Sequence, residues 1–494
     1  MQDLLDKWII EADFNSMQTA MESGNMTSEN LVNVYLDRIQ RYSGLNAIIE
    51  INPDAIDIAR ALDKERACTG SRGPLHGIPL LLKDNIDTHD NMHTSAGAVA
   101  LADSYAVEDS WVAAQLRSAG AVLLGKANMT EWANFMSSTM WAGYSSRGGL
   151  TLNPYGPGEF FVGGSSSGSA AAIAANLAAA AIGTETTGSI ICPASQNFIV
   201  GLKPTVGLIS RAGVIPISNS QDTPGPMTRT VKDAAILLGV LAGVDERDSS
   251  TFESVNRSYK DYTQFLDNSF IKKARIGIPR FYYQNLDPER LAIMEAAIAL
   301  LKKEGATVVD PVSLPCELVN WNFDVKRHEF KKYVNDYLAR LPASIPVHSL
   351  SEVIAFNQNH TDVALKYGQS RLIWCDETSG SLEDTEYLES KRKNEEYSRA
   401  QGIDAVLKQH DLDALLLPGN YDGTDIAGRA GYPLITVPAG FASVGSTTSE
   451  GWITKGPFGV VFSGSAYSEP VLIKLAYAYE QATKYRFPPL VLSQ

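Results

Sequence analysis

The chain has 494 residues, enough for one large domain or for two to three ordinary ones. Hydrophobic residues at 44% and charged residues at 20% suit a chain with a large core, and no uninterrupted apolar run approaches the roughly 18 residues of a membrane span, so a transmembrane reading is excluded. The formal charge of −14, without any basic block, excludes the clustered Lys and Arg that a nucleic-acid surface needs.

The opening MQDLLDKWIIEADF has an early acid, no basic segment and no continuous apolar segment, so no secretory signal is read there. A cytoplasmic protein is expected, or a secreted or periplasmic one if a signal was removed. Leu31, Val32, Tyr35, Leu36 and Ile39 have the spacing of a helix over 28–42. Residues 77–82 read as a buried strand that ends at the polar Lys83-Asp84-Asn85. Asp109 or Ser110 caps a helix through Arg117, Gly120 ends it, and residues 121–125 resume as a strand. The alanine-rich tract 170–182 predicts a buried helix running toward a strand. Strand, helix and strand recur at 276–278, 288–304 and 306–309. This alternation predicts an α/β fold with helices covering a largely buried sheet. Between about 321 and 400, charges and aromatics at helical spacing (Trp321, Phe330, Tyr333, Tyr337, Tyr367, Trp374) predict a helical insertion over the sheet, with the aromatics in the core. No repeat or linker marks a boundary, so one domain over 1–494 is expected. Cys68, Cys192, Cys316 and Cys375 lie far apart, which argues for reduced thiols and against a disulfide framework or zinc site.

The chemistry concentrates in residues 163–227. Two Gly/Ser-rich loops, Gly163-Gly164-Ser165-Ser166-Ser167-Gly168-Ser169 and Gly183-Thr184-Glu185-Thr186-Thr187-Gly188-Ser189-Ile190, flank one alanine-rich helix. Glycines let backbone N–H groups approach a ligand, and successive amides in a tight turn form a nest for a phosphate or an oxyanion. Neither G-x-x-x-x-G-K-[ST] nor G-x-G-x-x-G occurs there, which favours the oxyanion. Residues 164–168 match the G-x-S-x-G nucleophile elbow with Ser166 as nucleophile, but His328, His348, His360 and His410 downstream have no catalytic context. Ser167 and Ser169 are placed at the helix N-cap. Glu185 and Asp222 are expected to receive backbone N–H groups or orient their neighbours. His89 and His93 stand at i, i+4 without a further ligand set, so neither a metal nor a cofactor is expected.

GGSSSGSAAAIAAN, GTETTGSIICPAS and VGLKPTVGLISRAGVIPISNSQDTPGPMTRT, in this order, resemble the signature block of the amidase signature family. The likeness runs from about residue 75 to 243, with weaker echoes in the N-terminal helix and at 430–438. Within the family, GTET, GSI before an apolar residue and CP, and SQDTPGPM are similar to bacterial peptide amidases. The resemblance implies one large α/β domain around a mixed, mostly parallel central sheet covered by helices. It also implies a triad: Ser189 of the GSI motif as nucleophile, Ser165 after a cis peptide bond as proton relay, and Lys83 of the strand-end KDN motif as base. The step of 24 residues from Ser165 to Ser189 fits the family's spacing. The implied oxyanion hole is built from the backbone amides of Thr186, Thr187, Gly188 and Ser189 itself.

The implied reaction is hydrolysis of a carboxylic amide through an acyl-enzyme with release of ammonia, the leading substrate being a C-terminal peptide amide. No nucleic acid or membrane partner is expected. A serine hydroxyl needs a neighbouring base, and lysine serves as one only when neutral, which requires a desolvated setting that lowers its pKa from about 10.4. The end of an apolar strand is such a setting. Two positions depart from the broader family, where Gly-Gly-Ser-Ile-Arg is common. Thr187 replaces a glycine and adds a side chain beside the oxyanion loop, at a position where peptide amidases usually have an acid. Ile191 replaces the arginine, which weighs against the alternative enzyme, the glutaminase component of a tRNA-dependent amidotransferase. Outside enzymes, the alternative is a non-catalytic binding protein of the same fold.

Overall fold

The apolar residues 79–82 expected to lead into Lys83 form an interior strand of a large sheet. The computed structural model describes residues 2–489, so the expected span of 1–494 extends past the described residues at both ends. The strands are β1 (Ile48–Ile51), β2 (Pro79–Lys83), β3 (Val122–Ala127), the small separate hairpin β4 (Tyr144–Ser145) and β5 (Gly149–Leu150), β6 (Ala180–Glu185), β7 (Val200–Lys203), β8 (Thr223–Thr228), β9 (Arg275–Pro279), β10 (Thr307–Val312), β11 (Ala414–Pro418), β12 (Leu434–Ala442) and β13 (Gly456–Ser463). Eleven of them make one sheet in the order β1-β3-β2-β6-β8-β7-β12-β13-β11-β9-β10. The result is a single large α/β domain with a mixed sheet covered by helices.

Parallel pairing lies in two blocks, β3-β2-β6 and β11-β9-β10. Within each block a helix bridges sequential strands: Trp111–Ser118 lies between β2 and β3, and Pro288–Lys303 between β9 and β10. A crossover helix is what returns a chain to a parallel neighbour. No helix interrupts the connections between β7 and β8 or between β12 and β13, and both pairs are antiparallel. The expectation of a mostly parallel sheet therefore describes the two blocks, whereas the strands between them pair antiparallel.

The β2 side chains of Leu80, Leu81 and Leu82 are wholly buried, each contributing roughly 1.5–3 kcal/mol by burial. Helix Ser167–Ala174 lies behind them, buried along its whole length. Gly168 permits that seat, since a Cβ there would stand 2.3 Å from Ala47 O and 2.4 Å from Asn128 O. The N-cap of this helix is Ser166, so Ser167 and Ser169 fall in its first turn instead of capping it. Ser167 Oγ donates to Gly163 O at 2.7 Å, closing the turn before the helix instead of receiving its orphan amides. The Trp111–Ser118 helix is capped as read, by Ser110 accepting from Ala113 N.

Between β10 and β11 the chain forms helices Asp324–Leu338, Leu350–Asn359, Ser370–Asp376 and Thr385–Glu395. Phe330, Val334 and Tyr337 join Trp132, Phe135 and Ile217 in an apolar cluster distinct from the main core. Among the described residues no helix is long and apolar enough to cross a membrane. All four cysteines are free, Cys68 exposed and the others buried.

Candidate active site

Lys83 is the last residue of β2, between the parallel neighbours β3 and β6, and its side chain is fully buried. Open α/β sheets present such strand ends to ligand crevices. Its Nζ stands 2.7 Å from Ser165 Oγ, 2.8 Å from Thr184 Oγ1 and 3.1 Å from Thr184 O. Burial pushes the Lys83 amine down to about 7, although the carboxylates of Asp222 and Glu185 favour its charged form. Asn85 Nδ2 donates to the same Thr184 hydroxyl at 3.1 Å, so the KDN motif and β6 share one polar node. Sequence reasoning misses Thr184 as a site residue; its one signal is its place in the GTET motif.

The peptide bond between Gly164 and Ser165 is cis. Tyr421 Oη donates to Gly164 O at 2.9 Å, and Ser166 N donates to Ser189 O at 3.1 Å, which ties the two serine loops together. Ser166 itself is buried, with its Oγ donating to Thr184 O and accepting from Thr184 N, so the elbow-like serine fastens the helix to β6.

The chain turns sharply from β6 into helix Ile191–Gln196. Gly188 makes the turn at φ +77, and a Cβ there would meet Tyr421 Cδ1 at 2.6 Å. Among the described residues no protein group accepts from the backbone N–H of Thr186, Thr187, Gly188 or Ser189. Thr186 is anchored through its side chain, Oγ1 donating to Asp222 Oδ1 at 2.5 Å. Asp222 in turn accepts from Ile217 N and Ser218 N, and Glu185 Oε2 accepts from Ile190 N and Ile191 N at 2.7 and 2.9 Å. Both acids therefore hold the turn. If this turn supplies oxyanion donors, Gly188→Ala is expected to lower turnover at least about 100-fold, the cost of losing one such donor, because strain and the Tyr421 contact displace the turn. Steady-state kinetics beside a circular dichroism spectrum check this.

Ser189, Thr186 and Thr187 line a cavity of about 770 Å³. Its walls include Phe281, Tyr282, Trp321 and Phe323, so Trp321 belongs to the cavity, whereas Phe330 and Tyr337 are core residues. The reason is position: Trp321 precedes the Asp324–Leu338 helix on an open segment and Phe330 points inward from it. Trp132, Ala133 and Asn134 form a left-handed turn (φ 50, 54 and 68) that brings Ala133 and Asn134 to the cavity wall. Each such non-glycine residue costs about 1–2 kcal/mol. Among the described residues no cluster of His, Cys, Asp or Glu could hold a metal, and His93 Nδ1 lies 2.8 Å from Glu50.

The Amidase family profile matches residues 30–423. A probable amidase of Arabidopsis thaliana is 40% identical over 97% of this chain and 92% of its own. The structure of the peptide amidase from Stenotrophomonas maltophilia superposes with a TM-score of 0.87 at 42% identity, covering 97% of this chain and 98% of that one. The A subunit of the glutamyl-tRNA(Gln) amidotransferase from Alkalilimnicola ehrlichii is 33% identical over 94% of this chain and 96% of its own. With its profile matched over most of its length and its relatives alike from end to end, the chain belongs to the amidase family of amide-hydrolysing enzymes.

Proposed function

We propose that the protein releases ammonia from C-terminal peptide amides through a relay of Ser189, Ser165 and Lys83 and an acyl-enzyme. The observation that carries this reading is the buried Lys83 amine 2.7 Å from Ser165 Oγ, beside the cavity wall that bears Ser189. A neutral amine has two N–H donors and one lone pair. Thr184 O and Thr184 Oγ1 accept the two donors, which leaves the lone pair for the Ser165 hydroxyl.

Ser189 Oγ attacks the amide carbon as its proton passes to Ser165, whose own proton passes to Lys83. The backbone N–H groups of Thr186, Thr187, Gly188 and Ser189 supply donors for the oxyanion, with the Thr186 side chain anchored to Asp222 to hold the loop. Collapse of the tetrahedral species breaks the C–N bond, and the relayed proton returns to the leaving nitrogen as ammonia. Water then attacks the ester by the same relay, freeing the acid and Ser189. The similarity to a peptide amidase supports a peptide substrate, and about 770 Å³ lies within the usual range for small-ligand sites.

The test is a panel of C-terminal peptide amides, aliphatic amides, aryl amides and glutamine, read by ammonia release. Preference for peptide amides is expected. Ammonia from glutamine alone, and only with partner subunits added, would move the protein to the amidotransferase reading that its 33% identity to such an enzyme's component favours. In the same panel Ser165→Ala is expected to lose about 10²-fold or more while Ser189 still reacts slowly with a fluorophosphonate. Near-wild-type turnover of this variant would remove Ser165 from the relay.

A further inference from the structure

The cavity wall that carries Ser189 also carries two cations, Lys326 and Arg371, that the hydrolytic relay does not use. Lys326 lies in the first turn of the Asp324–Leu338 helix and is buried, 6% exposed. Its Nζ donates to Thr187 Oγ1 at 3.1 Å and lies 4.7 Å from the centre of the Phe323 ring. Arg371, on helix Ser370–Asp376, stands with its guanidinium carbon 5.4 Å from the Phe135 ring centre and 5.9 Å from that of Phe323. Two cations thus stand 4.7 and 5.9 Å from the Phe323 ring centre in the cavity that Ser189 lines. Among the described residues neither makes an ion pair with a carboxylate.

Among the described residues, one of the four acids around the same cavity is paired with a cation, and the others are bonded to a backbone amide or exposed at the rim. Asp425 pairs with Arg429 at 2.7 Å, Glu317 Oε1 accepts from Leu314 N at 2.8 Å, and Asp422 and Glu450 are exposed at the rim. A buried charge without a directly paired counter-charge is costly. Burial pushes the Lys326 amine down to about 8, although the more distant Asp425 favours its charged form, so an anion arriving there recovers a large electrostatic interaction.

We infer that Lys326 and Arg371 form an anion subsite, and that the amides this enzyme favours carry a carboxylate on the acyl side of the bond that is cut. The inference rests on the proposed role of Ser189. The side follows from the chemistry: when the leaving group is ammonia, every other recognisable group belongs to the acyl part. The reach follows from the chain. Thr187 and Ser189 are two residues apart, at most about 7 Å along the backbone, and Lys326 touches Thr187. A carboxylate a few bonds from the scissile carbonyl, as on an acidic residue whose C-terminus is amidated, spans that distance. Guanidinium and ammonium together suit it, the first through a paired N–H fork and the second as a point charge.

The test compares N-acetyl-glutamic acid α-amide with its side-chain methyl ester and with N-acetyl-lysine amide. Wild-type kcat/KM is expected to favour the acid over the ester by about 10-fold or more and to disfavour the lysine amide further. Lys326→Met and Arg371→Met are each expected to bring the acid-to-ester ratio toward one, while Lys326→Arg retains a preference for the acid. A wild-type ratio of one or less, or a ratio unchanged in both methionine variants, overturns the subsite. Titration calorimetry of the same ligands on Ser189→Ala protein reads the preference without turnover, and tighter binding of the acid is expected. If that preference holds but Ser189→Ala still hydrolyses amides, the subsite stands and the nucleophile is wrong. If the preference is absent while turnover depends on Ser189, the mechanism stands and the subsite falls.

Discussion

Ammonia release by the wild-type protein is expected to fall as pH drops through about 7, roughly tenfold per unit below it, because in the proposed relay protonation fills the Lys83 lone pair that would receive the Ser165 proton. The sign follows from the direction of the shift. Burial lowers the amine from its ordinary range, so the neutral, active form dominates above about 7 and is lost below it. Lys83→Ala is expected to cost roughly 10²-fold to 10⁴-fold in kcat/KM and to remove this acidic limb. Lys83→Arg should not restore activity, since a guanidinium does not become a neutral base at working pH. The measurement is a pH–rate profile of wild type, both lysine variants and single replacements of the seven histidines. None of those histidines lines the cavity. A histidine variant that abolishes turnover while Lys83→Ala remains active would overturn the lysine mechanism in favour of an ordinary Ser-His hydrolase.

Ser189→Ala is expected to abolish turnover and covalent labelling by a fluorophosphonate while the fold persists. In the proposed mechanism the substitution removes the atom that would form the acyl bond, and the residue sits on a cavity wall, 7% exposed, where losing one hydroxyl leaves little void. The backbone contact that joins the two loops, Ser166 N to Ser189 O, is retained in the variant. Loss of signal without loss of structure is read by mass spectrometry of the labelled protein beside thermal unfolding. Labelling that persists at another serine would show that the nucleophile lies elsewhere. Ser166 is the rival by sequence pattern, and its buried hydroxyl is already committed to the Thr184 backbone.

Much of this architecture is carried by local sequence. The leucines before Lys83 suit a strand buried on both faces, and a lysine that ends such a strand is desolvated. Ser110 before an apolar period and Gly120 after it mark a helix by capping chemistry alone. Glu185 and Asp222 are legible as acceptors for nearby amides, because acids beside tight turns are the local partners that orphaned N–H groups find. By contrast, β8 (TPGPMT) carries two prolines and a glycine, residues that local propensity disfavours in a strand, and it is a strand because β6 and β7 flank it in the sheet.

What the chain by itself determined is therefore the set of chemical groups and the elements that carry them: Lys83 at a strand's end, Ser165 and Ser189 in glycine-rich loops on either side of one helix, and an α/β alternation. Only the tertiary structure decided which groups meet. Thr184 enters the lysine's coordination because β6 pairs in parallel with β2, Tyr421 reaches Gly164 across 257 residues, and Trp321 turns to the cavity while Phe330 turns to the core. Lys326 arrives beside Thr187 from 139 residues away, on a helix whose sequence shows no sign of the partner. The reason is physical: hydrogen-bond propensity and hydrophobic periodicity act over a few residues, whereas these contacts depend on strand order and on the packing of helices onto the sheet.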